Sequence, residues 1–330
     1  MFKKILFTLA PVFLLLVIIG FGSESWLRQR HTSWDPNGAD SGPRAHRECY
    51  RLSLTTGYEP IPNKCKRDEK GFYRTWEGPS NPEAYKTLVF GDSIADQHNW
   101  VQQTTAVFAE QSKLQIETKN AGTPGFDTCS ELQMYRDKGL SEEQDHLLLQ
   151  FCPNDLASTA TIVALPNDRV RFFIGFEYVE FPRWMLQSRV VTWLAIQTFN
   201  RQQQSDGNRS ASEPIEHCLQ EFKTLAQEQN AQFSVVLFPS FVDNLSSDEV
   251  VFSITGKDFT TQSAEAKSRS LLEKLNIEYV EVRSFFEHRG LSLEEHRNAP
   301  HDLWHPNNEG QIIIGEDLGR WMNNQVRPQQ

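Results

Sequence analysis

The longest uninterrupted apolar stretch lies at the start of the chain, where Lys3 and Lys4 precede an 18-residue run without charge from Ile5 to Gly22. As a helix this run would span about 27 Å, at the short end of what crosses a bilayer core. It is apolar on every face, which does not suit a core helix. It is also longer than the roughly 7–15 apolar residues of a cleaved signal. The pattern predicts an N-terminal transmembrane helix within an anchor segment, residues 1–30. Lys3 and Lys4 would hold the N-terminus in the cytoplasm and place the rest in the periplasm or cell exterior, although Arg28 and Arg30 weaken that bias. Gly20 and Gly22 leave signal cleavage and secretion open as the alternative.

Residues 31–84 carry breakers instead of periodicity, including Pro36, Gly42, Pro43, Pro60, Pro62, Pro79 and Pro82, and read as a membrane-proximal spacer and extension. From residue 85 the texture changes. Short β-rich runs at 86–90, 114–119, 146–151, 233–238 and 277–282 alternate with stretches of helical patterning. That alternation predicts an α/β domain over 85–330, a mainly parallel sheet of about five strands covered by helices on both faces. One connection, at about 156–232, is far longer than a crossover helix needs. It is rich in rings: Phe172, Phe173, Phe176, Tyr178, Phe181, Trp184, Trp193 and Phe199. Core packing, a wall of the substrate pocket and a membrane-facing or partner-facing surface all fit that content. A polar stretch, 201–212, then leads into a predicted helix from Glu213 to about Gln229.

Composition narrows the partners. With 33 Lys plus Arg against 43 Asp plus Glu, the formal charge is −10, which would repel nucleic acid, so no nucleic-acid partner is expected. Five cysteines are too few for a disulfide scaffold and match no zinc spacing. In an oxidising compartment Cys49 and Cys65 could close a loop within the extension.

In doubly wound sheets the ligand site lies at the carboxyl ends of the strands. The first run leads into Gly91-Asp92-Ser93, the second into Asn120-Ala121-Gly122-Thr123-Pro124-Gly125, and the third into Pro153-Asn154-Asp155. Asp302-Leu303-Trp304-His305-Pro306 stands ahead of a final helical pattern from Asn308 to about Met322. These four segments, in this order over residues 86 to about 325, resemble the SGNH (GDSL-type) hydrolase family, as a membrane-anchored bacterial-type member. The resemblance implies a three-layer α/β/α sandwich of SGNH/flavodoxin-like form. It implies Ser93 as nucleophile, Asp302 and His305 as the other triad members, and Ser93, Gly125 and Asn154 as oxyanion-hole donors. The third block departs from the family pattern, with Cys152 where a glycine usually stands two residues before the asparagine.

The chemistry fits these residue types. A serine hydroxyl is a weak nucleophile until a base takes its proton, and a histidine held by a carboxylate does so at neutral pH. Attack on an ester carbonyl builds an oxyanion that needs preorganised donors. At a strand-to-helix junction Ser93 would also gain from a helix N-terminus. Such a site needs no metal and no organic cofactor. No G-x-S-x-G elbow or Walker A loop occurs. His301 and His305 have the spacing of zinc-binding helices, but Asp302 replaces the expected glutamate and Pro306 follows directly. With Cys129 four residues past Gly125 and Cys152 inside the third block, a Cys129–Cys152 disulfide across the site rim is expected. Cys218 is expected to be an inert buried residue.

The function expected is a serine esterase that hydrolyses or transfers O-acyl groups on a small molecule or carbohydrate, with O-acetyl groups of cell-envelope carbohydrate the favoured case. A lipase, lysophospholipase or thioesterase whose aromatic segment receives an acyl chain is the enzymatic alternative. A carbohydrate-binding component without turnover is the non-enzymatic one.

Overall fold

The computed structural model describes residues 20–26, 49–53, 56–156, 213–243, 250–252, 259–300 and 302–325, with shorter stretches between 161 and 194. The apolar run before residue 20, and with it the predicted membrane anchor, lies outside the described residues. Among the described residues no helix is long and apolar enough to cross a membrane. Residues 20–26 form a short helix, whose Glu24 side chain accepts bonds from Ser188 Oγ and the Val190 N–H, both at 3.0 Å.

Beyond the helix, the extension opens with an antiparallel hairpin of β1 (Tyr50–Ser53) and β2 (Gly57–Pro60), followed by β3 (Tyr73–Arg74). A Cys49–Cys65 disulfide closes it. The α/β unit then runs β4 (Tyr85–Phe90), the single-turn α1 (Ser93–Asp96), α2 (Asn99–Ser112), β5 (Ile116–Asn120), α3 (Thr128–Asp137) and β6 (His146–Phe151). The long connection holds an antiparallel three-stranded sheet, β7 (Thr161–Ala164), β8 (Arg169–Ile174) and β9 (Glu177–Pro182). The chain continues through α4 (Glu213–Glu228), β10 (Gln232–Leu237), a small ribbon of β11 (Val250–Phe252) and β12 (Phe259–Thr260), and α5 (Thr261–Lys274). It closes with β13 (Glu278–Glu281), α6 (Val282–Arg289) and α7 (Asn308–Gln325).

The main sheet has the order β13-β10-β6-β4-β5-β3. All five predicted strands are present and parallel, and β3 adds a sixth, antiparallel edge strand, pairing Tyr73 with Asn120. Numbered among the parallel strands alone, the order is the flavodoxin-like 2-1-3-4-5, with the topological switch between β4 and β6. The central strands are buried on both faces and accordingly read as near-continuous apolar runs. Leu147, Leu149 and Phe90 face Tyr135 of α3 and Phe222 of α4, whereas Val89 and Leu148 face Trp100 of α2 and Ile314 of α7. The protein is thus a three-layer α/β/α sandwich.

A Cys129–Cys218 disulfide joins α3 to α4, and Cys152 is a free, buried thiol. The expected Cys129–Cys152 bridge is therefore wrong, as is an inert Cys218. The reason lies in the layers. Cys129 points into the core under α3 and α4, and Cys152 into the core under α2 and α7. The sheet separates them, while α4, packed beside α3, brings Cys218 into reach. Closing a loop across 89 positions contributes about 4–5 kcal/mol by restricting the unfolded chain.

In the long connection, Trp184 is 60% exposed, which excludes plain core packing for that ring. The side chains of Phe172, Phe173, Phe176, Tyr178, Phe181, Trp193 and Phe199 lie outside the described residues.

Candidate active site

Ser93 begins α1 immediately beyond β4, the strand at the switch point. The turn is set by Asp92, which is 3% exposed and caps α1 by accepting the Ile94 N–H at 2.8 Å. The Asp92 N–H donates at 2.9 Å to Oε1 of Gln150, a buried side chain of β6. The helix behind Ser93 is a single turn, so the dipole support expected from a strand-to-helix junction is small, because the effect grows from several aligned peptides.

The loop after β5 wraps closely around this turn. Its Gly122 is obligatory, since a Cβ there would lie 2.4 Å from the backbone of Ala95 and Asp96. Asn120 fixes the loop start, accepting the Gly122 N–H at 2.8 Å and donating to the Ala95 carbonyl at 2.7 Å. Its Nδ2 also donates to His98 Nδ1 at 3.0 Å, which requires that nitrogen to be unprotonated. Burial accordingly pulls the His98 imidazole down to about 4. The Thr123 N–H donates to the Gly91 carbonyl at 2.9 Å, tying the loop to β4. Gly125 then takes φ +77°, the left-handed region that favours glycine. Asn154 lies in the short turn Pro153–Leu156 after β6. The three residues assigned to the oxyanion hole thus stand at the carboxyl ends of three adjacent strands, β5, β4 and β6.

The final block reaches the same end of the sheet from 212 positions away. Ser93 Oγ lies 2.7 Å from His305 Nε2, and His305 Nδ1 lies 2.9 and 3.0 Å from the two Asp302 carboxylate oxygens. Asp302 Oδ1 also accepts the N–H groups of Trp304 and His305, both at 3.1 Å. Burial alone would raise the Asp302 pKa, but the bonds from the His305 ring and from the His305 and Trp304 backbones outweigh it, and the carboxyl is held below its usual range. The segment is anchored to the fold by Phe241 N–H to Leu303 carbonyl at 2.7 Å and Asn298 N–H to His305 carbonyl at 2.8 Å. The structure brings Ser93, His305 and Asp302 together within hydrogen-bond distance.

Near Ser93 and His305 lies a set of buried carboxyl groups that sequence reasoning missed. Burial raises the pKa of Asp92, with opposing help from the Ile94 N–H, the nearby His305 and the Asn154 and Gln150 side chains. Burial also pushes Asp155 and Glu131 well above the usual range, each reinforced by neighbouring acids. The Asp155 carboxylate accepts the Cys152 N–H at 3.2 Å and so pins the turn that carries Asn154. A capping signal at Asp92, an Asp before a helical residue at a strand end, was visible in the sequence. Nothing local marked Gln150 or Asp155 as supports.

No group of three or more His, Cys, Asp or Glu side chains that could hold a metal ion occurs among the described residues. His301 lies outside them. A surface cleft of about 600 Å³ between α6 and α7, lined by Phe285, Arg289 and Trp321 among others, contains none of Ser93, Asp302 and His305.

No family model matches the sequence, and no curated protein matches it. Several solved structures align with this chain at low identity. An acetylxylan esterase from Geobacillus stearothermophilus is 12% identical, with a TM-score of 0.44 over 75% of this chain and 98% of that one. The lipase/acylhydrolase from Enterococcus faecalis is 16% identical, with a TM-score of 0.43 over 74% and 99%. A member of the lipolytic protein G-D-S-L family from Veillonella parvula DSM 2008 is 13% identical, with a TM-score of 0.39 over 75% and 100%.

Proposed function

We propose that the protein is an SGNH-type serine esterase that hydrolyses or transfers O-acyl groups, O-acetyl on cell-envelope carbohydrate being the favoured substrate. The observation that carries the reading is the continuous chain Ser93 Oγ to His305 Nε2 to Asp302, with distances of 2.7 and 2.9 Å. Both are within the reach that direct proton transfer requires.

In this mechanism His305 takes the Ser93 proton as Oγ attacks the ester carbonyl. Asp302 orients the ring and stabilises the imidazolium. The backbone N–H groups of Ser93 and Gly125 and the Asn154 amide receive the oxyanion. The Asn154 amide lies close enough to Asp92 to favour its ionised form, and since an amide nitrogen carries two hydrogens, a bond to Asp92 would leave one for the substrate. His305 then returns the proton to the departing alcohol, leaving an acyl-serine. Water completes hydrolysis, and a sugar hydroxyl in its place completes transfer.

The carbohydrate assignment and the location rest on the sequence. An apolar run after Lys3 and Lys4 suits a single-pass anchor in the inner membrane with the catalytic domain outside, and two disulfides suit an oxidising compartment. Secretion after cleavage is the alternative.

The test uses the full chain in detergent. Wild type is expected to hydrolyse p-nitrophenyl acetate and acetylated oligosaccharides, and Ser93→Ala to be inactive. Asn154→Ala is expected to lower kcat by about 10²–10³-fold with little change in KM, the signature of a lost oxyanion donor. A preference for long acyl chains would replace this reading with the lipase alternative. Equal inertness of wild type and Ser93→Ala on every ester would favour the carbohydrate-binding alternative.

A further inference from the structure

The extension before β4 supplies none of the residues assigned to the triad or the oxyanion hole, yet it grips two of the four segments that carry them, the Ser93 turn and the Gly125 loop. Tyr58, on β2 and 7% exposed, donates its hydroxyl hydrogen to the Pro124 carbonyl. Pro124 C=O and Gly125 N–H belong to one planar peptide unit, so fixing the carbonyl fixes the direction of the N–H at its other end. A bond accepted by the carbonyl also polarises that peptide and strengthens its N–H as a donor. A Cβ at Gly125 would stand 2.8 Å from the Tyr58 hydroxyl, so the two approach closely.

Arg67 acts on the same loop and on the nucleophile turn together. It is 4% exposed, and its Nη2 donates to the Gly122 carbonyl at 2.9 Å and to Asp96 Oδ1 at 2.5 Å. Asp96 is the last residue of α1, which Ser93 begins. The same carboxylate oxygen accepts from the Tyr50 and Tyr73 hydroxyls, both at 3.2 Å. A guanidinium buried this deeply is stable only while its partners stay in place, so Arg67 makes the separation between the two loops energetically specific.

We propose that Tyr58 and Arg67 are positioning residues of the oxyanion hole, and that the disulfide-closed extension is a clamp on the Gly122–Phe126 loop. The proposal rests on the esterase reading for its catalytic consequence but not for its mechanical one. Tyr58→Phe removes a single oxygen. In the full chain in detergent, kcat for p-nitrophenyl acetate, normalised to sites titrated by a fluorophosphonate, is expected to fall about 10- to 100-fold with KM nearly unchanged. Amide exchange at 122–126, followed by mass spectrometry, is expected to accelerate about tenfold or more while β6 stays protected. Arg67→Lys keeps the charge facing Asp96 but loses the planar fork, and is expected to act in the same direction. It stands as the second variant should Tyr58→Phe fold poorly.

A merely structural Tyr58 would lower the number of titratable sites and leave kcat per site unchanged. That result overturns the positioning role. Unchanged exchange at 122–126 in both variants overturns the clamp. If wild type neither turns over esters nor labels at Ser93, the esterase reading fails by itself, and faster exchange at 122–126 still supports the clamp.

Discussion

Changing Asp302 to Asn tests the triad through a single atom. In the wild type, Asp302 Oδ1 serves two backbone donors, Trp304 N–H and His305 N–H at 3.1 Å, besides facing the imidazole. In Asp302→Asn the amide oxygen is retained by those two N–H groups, since the amide nitrogen cannot accept from them. The –NH2 group is therefore turned toward His305 Nδ1, where Oδ2 stands at 3.0 Å in the wild type. The amide oxygen also stands 2.9 Å from Nδ1, but it already accepts two backbone N–H groups, so the –NH2 group favours the tautomer in which Nδ1 accepts and Nε2 carries the hydrogen. The nitrogen 2.7 Å from Ser93 Oγ can then no longer accept the serine proton.

The substitution is nearly isosteric, so the loss is one of tautomer rather than of packing. Loss of the correct tautomer in a serine triad lowers kcat about 10⁴-fold, equivalent to about 5 kcal/mol of transition-state stabilisation. The assay is steady-state hydrolysis of p-nitrophenyl acetate by the full chain, with circular dichroism confirming the fold. Asp302→Ala is the control, because it imposes no wrong donor and leaves the tautomers free to exchange. Asp302→Asn is expected to be at least as damaging as Asp302→Ala. Retention of more than about a tenth of wild-type kcat in Asp302→Asn would refute the tautomer argument, because a correctly protonated base would then be operating without its carboxylate.

Two further predictions address the fold. Thiol titration under non-reducing conditions is expected to find no reactive cysteine in the native protein and one, Cys152, after denaturation. Two or more would refute the disulfide assignment. His146, fully buried at the start of β6 and 3.1 Å from Ser234 Oγ, has its pKa pulled by burial from 6.5 down to about 3. The unfolded chain therefore binds a proton that the folded chain refuses, and stability attributable to this group falls as pH drops below 6.5 towards 3. Between pH 7 and pH 5 the loss works out at about 2 kcal/mol. Urea denaturation is expected to show that much less pH dependence in His146→Gln, and parallel curves for the two proteins would count against it.

Much of the site was legible because each piece of it is local. Gly91-Asp92-Ser93 follows β4, Asn154 follows β6, and Asp302 and His305 stand three residues apart ahead of α7, so the short blocks that carry the family resemblance contain every residue proposed for the triad. The cysteines are less legible. The nearness of their loops to the site rim suggests a Cys129–Cys152 pair, whereas the β6 side chains alternate between two cores and the chain places Cys152 on the opposite side of the sheet. The supports were invisible for the same reason. Gln150, Asp155, Tyr58 and Arg67 are ordinary residues in their own segments, and only their contacts with distant segments assign them a task.

By itself the amino-acid sequence determined the alternation of strands and helices, the parallel sheet, and the order in which the Ser, Gly, Asn and Asp/His blocks arrive at its carboxyl end. These follow from hydrophobic periodicity and turn chemistry, which act over a few residues. Tertiary structure alone decided that Ser93 and His305, 212 positions apart, come within 2.7 Å, that Cys129 meets Cys218, and that the extension reaches under the Pro124–Gly125 peptide. Those pairings depend on which layers pack together. The burial of apolar surface that drives packing is non-directional, and the buried polar bonds that select one arrangement join groups far apart in the chain.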